Sequence, residues 1–363
     1  MSDRPIRVLA LPKYGSEAAS TRQRLLQYAP HLAAHGISIE AHSLLDNRYV
    51  AAIAAGRGVP RAMLASAYAR RLGLLLTRRD FDLLWVHYEL FPYLPGMFER
   101  FAALAGKPLV YDFDDAIFHM YDGFRNRALD WLLRDKLVPL LSRADAVVAG
   151  NAYLADYARR HCAATTVIPT VVDTDRYVPT ARGDSAPVIG WIGSPSTWAG
   201  VAPMASMLTA LAREHGGTVR VVGAGPGASG IDGLVAVPWQ EATEIAEVQR
   251  IAIGIMPVPD APFMRGKCGY KLIQYMACGL PVVCSPVGVN AQIVTHGVNG
   301  LHARTEREWH DAIELLLCDP ALAARMGTEG RRRAVEHYSL SAQAPRLESV
   351  LKRAVAIHDK RGK

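Results

Sequence analysis

Residues 263–283 contain the side chains best suited to chemistry in this sequence. Three cations and two glycines precede a predicted helix, which ends at Gly279 and is followed by a buried strand. Free N–H groups at the start of such a helix, the close backbone approach that glycine permits and the positive side chains together favour an anion such as a phosphate. A solvated basic loop is the alternative. The cations are Arg265, Lys267 and Lys271, and the glycines are Gly266 and Gly269.

A second glycine-rich stretch fits the pattern of dinucleotide-binding turns, with Gly223, Gly225 and Ala228 at the required spacing. That pattern needs a helix to begin at the turn, so that its N-terminal N–H groups face a pyrophosphate. Residues 229–233 lead directly into another apolar run and leave no room for a helix. We therefore interpret the stretch as a glycine turn and predict no nicotinamide or flavin site.

The elements that must position these residues alternate between short apolar runs and longer helical patterns, which is typical of parallel sheets covered on both faces. Residues 173–187 lack periodicity and separate two such series, as a linker does. The predicted strands are Ile6–Leu11, Ile37–His42, Leu83–His87, Leu109–Tyr111, Ala146–Ala149, Thr166–Ile168, Val188–Ile192, Thr218–Val222, Leu234–Val237, Ile253–Met256 and Pro281–Cys284. The predicted helices include Thr21–Ala34, Gly96–Ala105, Ala202–Glu214, Glu244–Arg250, Lys271–Cys278 and Ala342–His358.

The length of 363 residues suits two domains of roughly 150–200 residues each. We predict an α/β fold with two doubly wound, Rossmann-like domains facing a cleft, because ligands of this architecture bind beyond the carboxyl ends of the strands. The predicted N-terminal domain spans residues 1–175, and the predicted C-terminal domain spans residues 176–340. A helix within residues 341–363 is expected to cross back to the first domain.

Composition narrows the class of protein. Hydrophobic residues make up 50% and charged residues 21% of the chain, which excludes a disordered protein, and the net charge of +7 favours anionic partners. Five cysteines without a C-x-x-C pair argue against a disulfide scaffold or a structural zinc site and for a reducing compartment. No apolar stretch reaches the ~18 residues of a membrane-spanning helix, so we expect a cytoplasmic protein.

Residues 274–283, with the sequence QYMACGLPVV, closely match the end of a family pattern that reads glutamate, seven residues, glutamate and then A-M-A-C-G-x-P-V-V. On this match, and on similar stretches at 167–173, 189–195 and 285–301, the chain resembles the family-four glycosyltransferases, which are retaining enzymes with the GT-B fold. The two glutamates of the pattern fall on Gly266 and Gln274. In the family the first contacts the donor sugar and the second the ribose hydroxyls, which an amide such as that of Gln274 can also bind.

The resemblance implies a nucleoside-diphosphate sugar as the donor substrate, with uridine or guanosine as the nucleoside, and neither a metal nor another cofactor. It also implies that cations and N–H groups stabilise the departing diphosphate, with Lys271 and Lys267 as the catalytic cations. The donor-binding residues are then Gly193, Ser194, Ser196, Arg265, Gly269, Gln274 and Trp239.

The first predicted domain supplies candidates for the acceptor site, a sugar or a lipid-linked acceptor. In the family, the loop after the first strand lies near the acceptor and the donor phosphates. For Arg22 and Arg24, at the start of the helix that follows this loop, a solvated helix face is the alternative. Asp114 takes the position of a family histidine and is a catalytic candidate, with helix capping as the alternative. The acceptor-binding candidates are Gly15, Arg22, Arg24, His87 and Glu89.

Residues 47–79 hold seven arginines and no acidic residue, with apolar residues between them at roughly helical spacing. Such a basic amphipathic stretch suits an anionic membrane surface, here the inner face of the membrane. A helix whose apolar side is core is the alternative. We predict no nucleic-acid partner, because no basic motif is interleaved with aromatic residues. The arginines are Arg48, Arg57, Arg61, Arg70, Arg71, Arg78 and Arg79.

The sequence therefore predicts a retaining glycosyltransferase that moves a sugar from a nucleoside-diphosphate sugar to an acceptor hydroxyl. The expected setting is the assembly of a polysaccharide, a lipid-linked oligosaccharide or a glycoconjugate. Two alternatives stay open, namely a sugar-nucleotide epimerase of the same fold and a non-catalytic sugar-nucleotide-binding partner. The replacement of the two pattern glutamates by Gly266 and Gln274 would be a mark of a non-catalytic partner.

Overall fold

The computed structural model describes residues 4–54, 61–181 and 186–361. These residues form two compact units. The first unit contains the chain up to Thr170, the short segment Gly266–Cys268 and the chain from Gln343 onward. The second unit contains Val171–Arg265 and Gly269–Ala342. The chain therefore returns twice from the second unit to the first.

A parallel sheet of six strands forms the centre of the first unit. The strands are β1 (Ile6–Pro12), β2 (Ile37–Ala41), β3 (Leu83–His87), β4 (Leu109–Phe113), β5 (Ala146–Ala149) and β6 (Thr165–Val167). Their order in the sheet is β2-β1-β3-β4-β5-β6, so the direction of progression reverses between β1 and β3. In sheets of this kind ligands bind at the reversal, beyond the carboxyl ends of the strands. Every residue of β3 and β4 is buried, as expected for a sheet covered on both faces.

Short helices cover this sheet. They are α1 (Ala19–Arg24), α2 (Ala29–Ala34), α3 (Asn47–Ala54), α4 (Arg61–Thr77), α5 (Arg127–Leu133), α6 (Val138–Arg143) and α7 (Ala152–Arg159), with 3₁₀ helices at Leu26–Tyr28, Gly96–Ala105 and Ile117–Met120. The prediction of one continuous helix over Thr21–Ala34 is wrong. The chain breaks it into α1, a 3₁₀ turn and α2, because Pro30 has no N–H to donate and is tolerated only in a first helical turn.

The second unit repeats the plan. Its strands are β7 (Val188–Ile192), β8 (Thr218–Val222), β9 (Leu234–Val237), β10 (Ile253–Met256), β11 (Val282–Cys284) and β12 (Leu301–His302). They form a parallel sheet of order β12-β11-β10-β7-β8-β9, with its reversal between β7 and β10. A 3₁₀ turn at Gly225–Ala228 joins β8 to the next strand, so the prediction of a glycine turn is confirmed.

The remaining helices are α8 (Pro195–Trp198), α9 (Ala205–Glu214), α10 (Glu244–Gln249), α11 (Pro262–Arg265), α12 (Tyr270–Ala277), α13 (Asn290–Ile293), α14 (Glu306–Cys318), α15 (Pro320–Tyr338) and α16 (Leu340–Arg361), with a further 3₁₀ turn at Ala202–Met204. From Gln343 onward α16 belongs to the first unit, where Arg346 Nη2 donates to the carbonyl oxygen of Val167 at 2.9 Å. The expected crossing of this helix is therefore confirmed. None of the described helices combines the length and the apolar character needed to span a bilayer.

The predicted α/β fold with two Rossmann-like domains is confirmed. All eleven predicted strands occur within two residues of their predicted bounds. The sequence analysis missed β12, which has only two residues and no apolar run of its own. Residues 182–185 of the predicted linker lie outside the described part of the chain.

Candidate functional site

Lys271 lies beside the turn that follows β7. A Cβ atom on Gly193, the first residue after that strand, would lie 2.8 Å from Cε of Lys271 and 2.4 Å from the indole of Trp191. The Lys271 ammonium is 5.5 Å from the centroid of the Trp191 ring. Only glycine fits at position 193 without displacing these groups. The cation and the backbone turn therefore share the carboxyl edge of the second sheet, next to the reversal between β7 and β10.

Helix α12 holds Lys271 rigidly because the helix is buried on nearly every side, from Leu272 to Ala277. Its Tyr275 hydroxyl accepts a hydrogen bond of 3.0 Å from the N–H of Ile192, which ties the helix to the end of β7. The residue before the helix is Gly269, with a φ of 65° that favours glycine. Gly269 therefore shapes the start of the helix.

Hydroxyl groups follow directly after Gly193. The Ser194 N–H donates to Thr197 Oγ1 at 3.2 Å, and the hydroxyls of Ser194 and Ser196 lie 3.0 Å apart. All of these groups are at least partly exposed. The exposed Arg265 forms two hydrogen bonds with Asp260, at 2.7 and 3.2 Å. A polar, cationic surface thus lies within the second unit.

Gln274 is buried and binds other residues of the protein. Its Nε2 donates to the Tyr177 hydroxyl at 3.0 Å and to Glu244 Oε1 at 2.9 Å. Tyr177 also donates to Glu244, and Trp239 Nε1 donates to the second oxygen of this carboxylate at 2.6 Å. The half-buried carboxylate of Glu244 therefore lies next to Gln274, the position at which the family pattern has its second glutamate. The sequence analysis missed Glu244 and Tyr177, and no motif marks either of them.

The segment Gly266–Cys268 is attached to the first unit by several hydrogen bonds. Asn151 Nδ2 donates to the carbonyl oxygens of Gly266 and Lys267, at 2.9 and 3.2 Å. The Cys268 thiol donates to the carbonyl oxygen of Asp114 at 2.7 Å. Asn151 follows β5 at the carboxyl edge of the sheet, and this position could have marked it in the sequence.

Lys267 contacts a carboxylate, with its ammonium 2.8 Å from Asp115 Oδ2. Desolvation alone would lower the pKa of Lys267, but the charge of Asp115 and their hydrogen bond outweigh it and raise the pKa. The two predicted catalytic lysines therefore have different surroundings. Lys267 forms an ion pair in the first unit, whereas Lys271 lies beside a glycine turn in the second.

The structure explains why position 266 has no glutamate. A Cβ atom on Gly266 would lie 2.3 Å from Cβ of Ala116 and 3.0 Å from its backbone nitrogen. Backbone atoms cannot move aside as the end of a flexible side chain can. No side chain fits at this position while the hydrogen bonds of Asn151 to the segment persist.

We expect Gly266→Glu to destabilise the protein and to leave transfer activity no higher than in the unmodified chain. The overpacking against Ala116 costs about 1–3 kcal/mol of unfolding free energy. Urea unfolding followed by circular dichroism measures this loss, and Gly73→Glu is the matched control, because a Cβ atom at Gly73 meets nothing within 4 Å. An equal stability of the two variants would contradict the steric account.

Asp114 is a buried carboxylate surrounded by donors. The Tyr88 hydroxyl donates to its Oδ1, the Thr170 hydroxyl lies 3.4 Å from Oδ2, and His87 Nε2 lies 3.6 Å from Oδ1. Burial alone would raise the pKa of Asp114, but the neighbouring His87 and the charge of Arg24 outweigh it and lower the pKa to about 2. Such a carboxylate is a weak base at neutral pH, and it can accept a hydrogen bond or stabilise positive charge.

The chain around this carboxylate is strained where β3 ends. Tyr88 has a φ of 69°, which costs a non-glycine residue on the order of 1–3 kcal/mol. Both ring nitrogens of the neighbouring His87 are buried; Nε2 lies 3.6 Å from Asp114 Oδ1, and Nδ1 has no hydrogen-bond partner among the described residues. Strained residues and unpartnered polar atoms occur together at binding and catalytic sites. The end of β3 is therefore a candidate site in the first unit.

Glu89 and Arg24 have buried partners of opposite charge. Glu89 lies 2.7 Å from the Lys13 ammonium, at the reversal between β1 and β3. Arg24 forms two hydrogen bonds with Asp112, at 2.9 and 3.1 Å, and only 1% of its side chain is exposed. This burial is at odds with the predicted contact of Arg24 with an acceptor, because the guanidinium faces the protein interior.

Gly15 lines a cavity of about 430 Å³ that also includes Ser16, Thr21 and Arg48. The neighbouring Arg22 donates to the carbonyl oxygens of Ser16 and Glu17, at 3.0 and 2.8 Å. Arg22 therefore stabilises the loop that forms one wall of the cavity. The lining is more apolar than polar, with hydroxyl groups from Ser16 and Thr21 and charges of both signs from Asp46 and Arg48.

Helix α4, the part of the basic stretch at residues 61–77, uses its apolar side as core. Tyr68 and Leu72 pack against the buried core of the first unit, where Leu75 is fully buried. Arg71 is also buried, and its Nη2 donates to the carbonyl oxygens of Pro12 and His42, at 3.0 and 2.9 Å. The structure favours the alternative interpretation of a core helix over a membrane surface. Arg57 lies outside the described residues.

Comparison with known protein families identifies both units. A family model described as "Glycosyl transferase 4-like domain" matches residues 8–170, and one described as "Glycosyl transferases group 1" matches residues 186–319. The chain carries the two domains of a GT-B glycosyltransferase. The resemblance stated from residues 274–283 is therefore confirmed.

A curated relative, alpha-maltose-1-phosphate synthase of Mycobacterium tuberculosis, is 22% identical over 225 residues. The match covers 52% of this chain and only 57% of that protein.

Solved GT-B structures share the fold of this chain. Sucrose-phosphate synthase from Thermosynechococcus elongatus superposes with a TM-score of 0.69 at 18% identity, covering 97% of this chain and 100% of that one. Anabaena HepE in complex with UDP-glucose gives a TM-score of 0.71 at 16% identity, covering 96% and 100%. The catalytic domain of Arabidopsis thaliana starch synthase IV, bound to ADP and acarbose, gives 0.68 at 11% identity, covering 97% and 100%.

Proposed function

We propose that this protein is a retaining glycosyltransferase that moves a sugar from a nucleoside-diphosphate sugar to an acceptor hydroxyl. The observation that carries the proposal is the position of Lys271 beside the Gly193 turn, at the carboxyl edge of the second sheet. The two family models support the class of reaction. The complex of Anabaena HepE with UDP-glucose supports the class of donor.

Lys271 stabilises the leaving diphosphate. Negative charge develops on the β-phosphate as the bond to the sugar breaks, and a preorganised cation at that point is worth more in the transition state than in the ground state. Helix α12 is buried and tied to Ile192, which fixes the backbone of Lys271, and the ammonium lies over the Trp191 ring. The leaving phosphate takes the proton of the acceptor hydroxyl, so no protein base with a pKa near neutrality is required.

Asp114 orients the acceptor hydroxyl or stabilises positive charge on the sugar. Its pKa of about 2 keeps it ionised at neutral pH, so it accepts hydrogen bonds and takes up no proton. The cavity beside Gly15 provides space for the acceptor, and its hydroxyl lining suits a sugar. Polysaccharide, lipid-linked oligosaccharide and glycoconjugate assembly all use such acceptors.

Glu244 binds the ribose of the donor in place of the second family glutamate. Its carboxylate accepts hydrogen bonds from Gln274 and Trp239, and this fixes its direction within the second unit. Gln274 is buried and uses its amide nitrogen inside the protein, so it acts as a positioning residue for Glu244. Carboxylate oxygens accept strongly from hydroxyl donors such as those of a ribose.

We expect Glu244→Ala to weaken the binding of UDP and of UDP-sugars about 10- to 100-fold, because a hydrogen bond to a charged group contributes about 1.5–3 kcal/mol. Isothermal titration calorimetry with UDP measures the loss. Glu314→Ala, which removes an exposed glutamate from α14, is the control and keeps full affinity. Unchanged UDP affinity in Glu244→Ala would remove Glu244 from the proposed site.

The proposed reaction is tested in two steps. A thermal-shift panel of UDP-, GDP- and ADP-sugars first identifies the donor, because a ligand at 100 times its Kd stabilises a protein by about 2.7 kcal/mol. The donor is then incubated with the protein in water, and proton NMR records the anomer of the released sugar before it equilibrates. We expect slow hydrolysis with retention of the anomeric configuration. Release of the inverted anomer would overturn the retaining mechanism.

The same incubation distinguishes the two alternatives. A sugar-nucleotide epimerase would convert the donor into its epimer without releasing the nucleoside diphosphate. A non-catalytic partner would show the thermal shift but neither hydrolysis nor transfer to any acceptor in a panel of sugars. Either result would replace the proposed activity while leaving the donor site in the second unit intact.

A further inference from the structure

Two histidines and a glutamate from distant parts of the chain meet on the first unit. His31 lies in α2 and His35 follows that helix directly, so the two imidazoles are one turn apart, with ring centroids separated by 4.3 Å. Glu348 comes from α16. Its Oε2 lies 3.5 Å from His31 Nε2 and 3.9 Å from His35 Nδ1. The three ligand atoms lie within 4.8 Å of one another.

These separations suit a tetrahedral cation. Atoms that bind zinc at 2.0–2.1 Å in a tetrahedron lie about 3.4 Å from one another. Glu348 Oε2 lies 3.5 and 3.9 Å from the two ring nitrogens, and the nitrogens lie within 4.8 Å of each other, so modest side-chain movements bring all three atoms to this spacing. Two imidazoles and one carboxylate form a known type of zinc site, in which the fourth position holds water.

The groups around the three side chains leave this position open to a cation. His31 Nε2 is buried and lies 3.5 Å from Glu348 Oε2, so the imidazole and the carboxylate already face each other. Glu348 accepts from Lys352 at 2.8 Å through Oε1, so Oε2 is the oxygen that faces the imidazoles. His35 Nδ1 donates to the carbonyl oxygen of His31 at 2.8 Å and exchanges this bond for the metal, or turns its ring to offer Nε2.

We propose that His31, His35 and Glu348 bind a divalent transition-metal cation, with zinc as the best match, and that this cation fastens α16 to α2. None of the three belongs to the proposed donor or acceptor site, so we assign the cation no part in sugar transfer. Five cysteines without a C-x-x-C pair argued against a structural zinc site in the sequence. That argument does not apply to this site, because no thiolate takes part.

A second cluster in the same chain serves as an internal comparison. The ligand atoms of His310, Asp311 and Glu314 also lie within 4.8 Å of one another. All three residues belong to α14, more than a third of each side chain is exposed, and the cluster offers only one imidazole. We expect no stoichiometric metal binding there.

The test uses the full chain, produced without a polyhistidine tag and stripped of metal. Equilibrium dialysis with Zn²⁺ is expected to give one ion per chain, and Co²⁺ is expected to give the intense visible absorption of a tetrahedral site. His35→Ala and Glu348→Gln should each weaken Zn²⁺ binding at least ~100-fold, because even the loss of an outer-shell partner costs 10- to 100-fold. His310→Ala should leave the Zn²⁺ affinity unchanged.

Thermal melting gives a second readout that does not depend on donor binding. We expect Zn²⁺ to raise the melting temperature of the unmodified chain and to have no effect on Glu348→Gln. His35 and Glu348 are partly exposed, so circular dichroism should show both variants folded. The proposal is overturned if the unmodified chain takes up no stoichiometric Zn²⁺, or if both variants bind it as tightly as the unmodified chain does.

Discussion

Lys271→Ala is expected to lower the turnover of sugar transfer at least ~100-fold while the protein stays folded. The ammonium lies beside the Gly193 turn, and in the proposed reaction it meets the developing charge of the leaving diphosphate. Removing one preorganised donor to such a charge costs about 3–4 kcal/mol of transition-state stabilisation, or 10²–10³ in rate. The loss should fall mainly on kcat, since the interaction strengthens as the bond to the sugar breaks.

The chain offers a matched control for this variant. Lys107 also lies over an aromatic ring, with its ammonium 6.0 Å from the centroid of Phe81, but in the first unit. Lys107→Ala removes the same kind of cation–π contact and should leave kcat unchanged. Lys271→Arg retains the charge and should recover part of the rate. If Lys271→Ala turned over donor at a near-normal rate, the leaving-group role of Lys271 would be refuted.

Arg24→Met is expected to lower the free energy of unfolding by about 3–5 kcal/mol, because it leaves the Asp112 carboxylate buried without its partner. Arg24 and Asp112 are each 1% exposed and share two hydrogen bonds. Arg24 also donates to the carbonyl oxygen of Ile168 at 2.7 Å. Chemical unfolding in urea, followed by circular dichroism, measures the loss.

The pH dependence of this loss is a second check. Burial already raises the pKa of Asp112 in the folded protein, and Arg24 opposes that shift. Without Arg24 the folded pKa rises further, so the folded state of the variant binds a proton more readily than the unfolded state does. The deficit of the variant should therefore shrink as the pH falls toward about 4 and grow as the pH rises.

A double variant separates the unpaired charge from the packing. Arg24→Met combined with Asp112→Asn contains no buried charge at this position and should recover much of the stability that Arg24→Met loses. Arg213→Met breaks an ion pair of 2.8 Å whose side chains are 66% and 95% exposed, and it should cause no measurable loss. An equal loss in Arg24→Met and Arg213→Met would show that the burial of the pair is unimportant.

Much of the fold could be predicted because its signals are local. Apolar runs followed by glycine turns mark β7 and β8, and neighbouring residues alone create these patterns. Part of the site was predictable for the same reason. Lys271 lies in the first turn of α12, directly after a stretch of glycines and cations that is visible in the sequence.

The partners of the site residues could not be predicted, because they come from distant parts of the chain. Glu244 lies thirty residues before Gln274 and belongs to no recognisable motif, yet it binds the Gln274 amide. Position 266 differs from the family pattern for a reason that depends on Ala116. No periodicity or turn chemistry connects such pairs of residues.

The amino-acid sequence by itself determined two α/β domains, their strands and a cationic helix start suited to phosphate, since strand patterns and turn residues act over a few neighbours. Only the tertiary structure decided which charges are buried and which partners they have. It pairs Arg24 with Asp112 and brings His31 to Glu348. It also orients the Glu244 carboxylate with hydrogen bonds from Gln274 and Trp239. The physical reason is that packing selects these contacts among residues that are far apart along the chain.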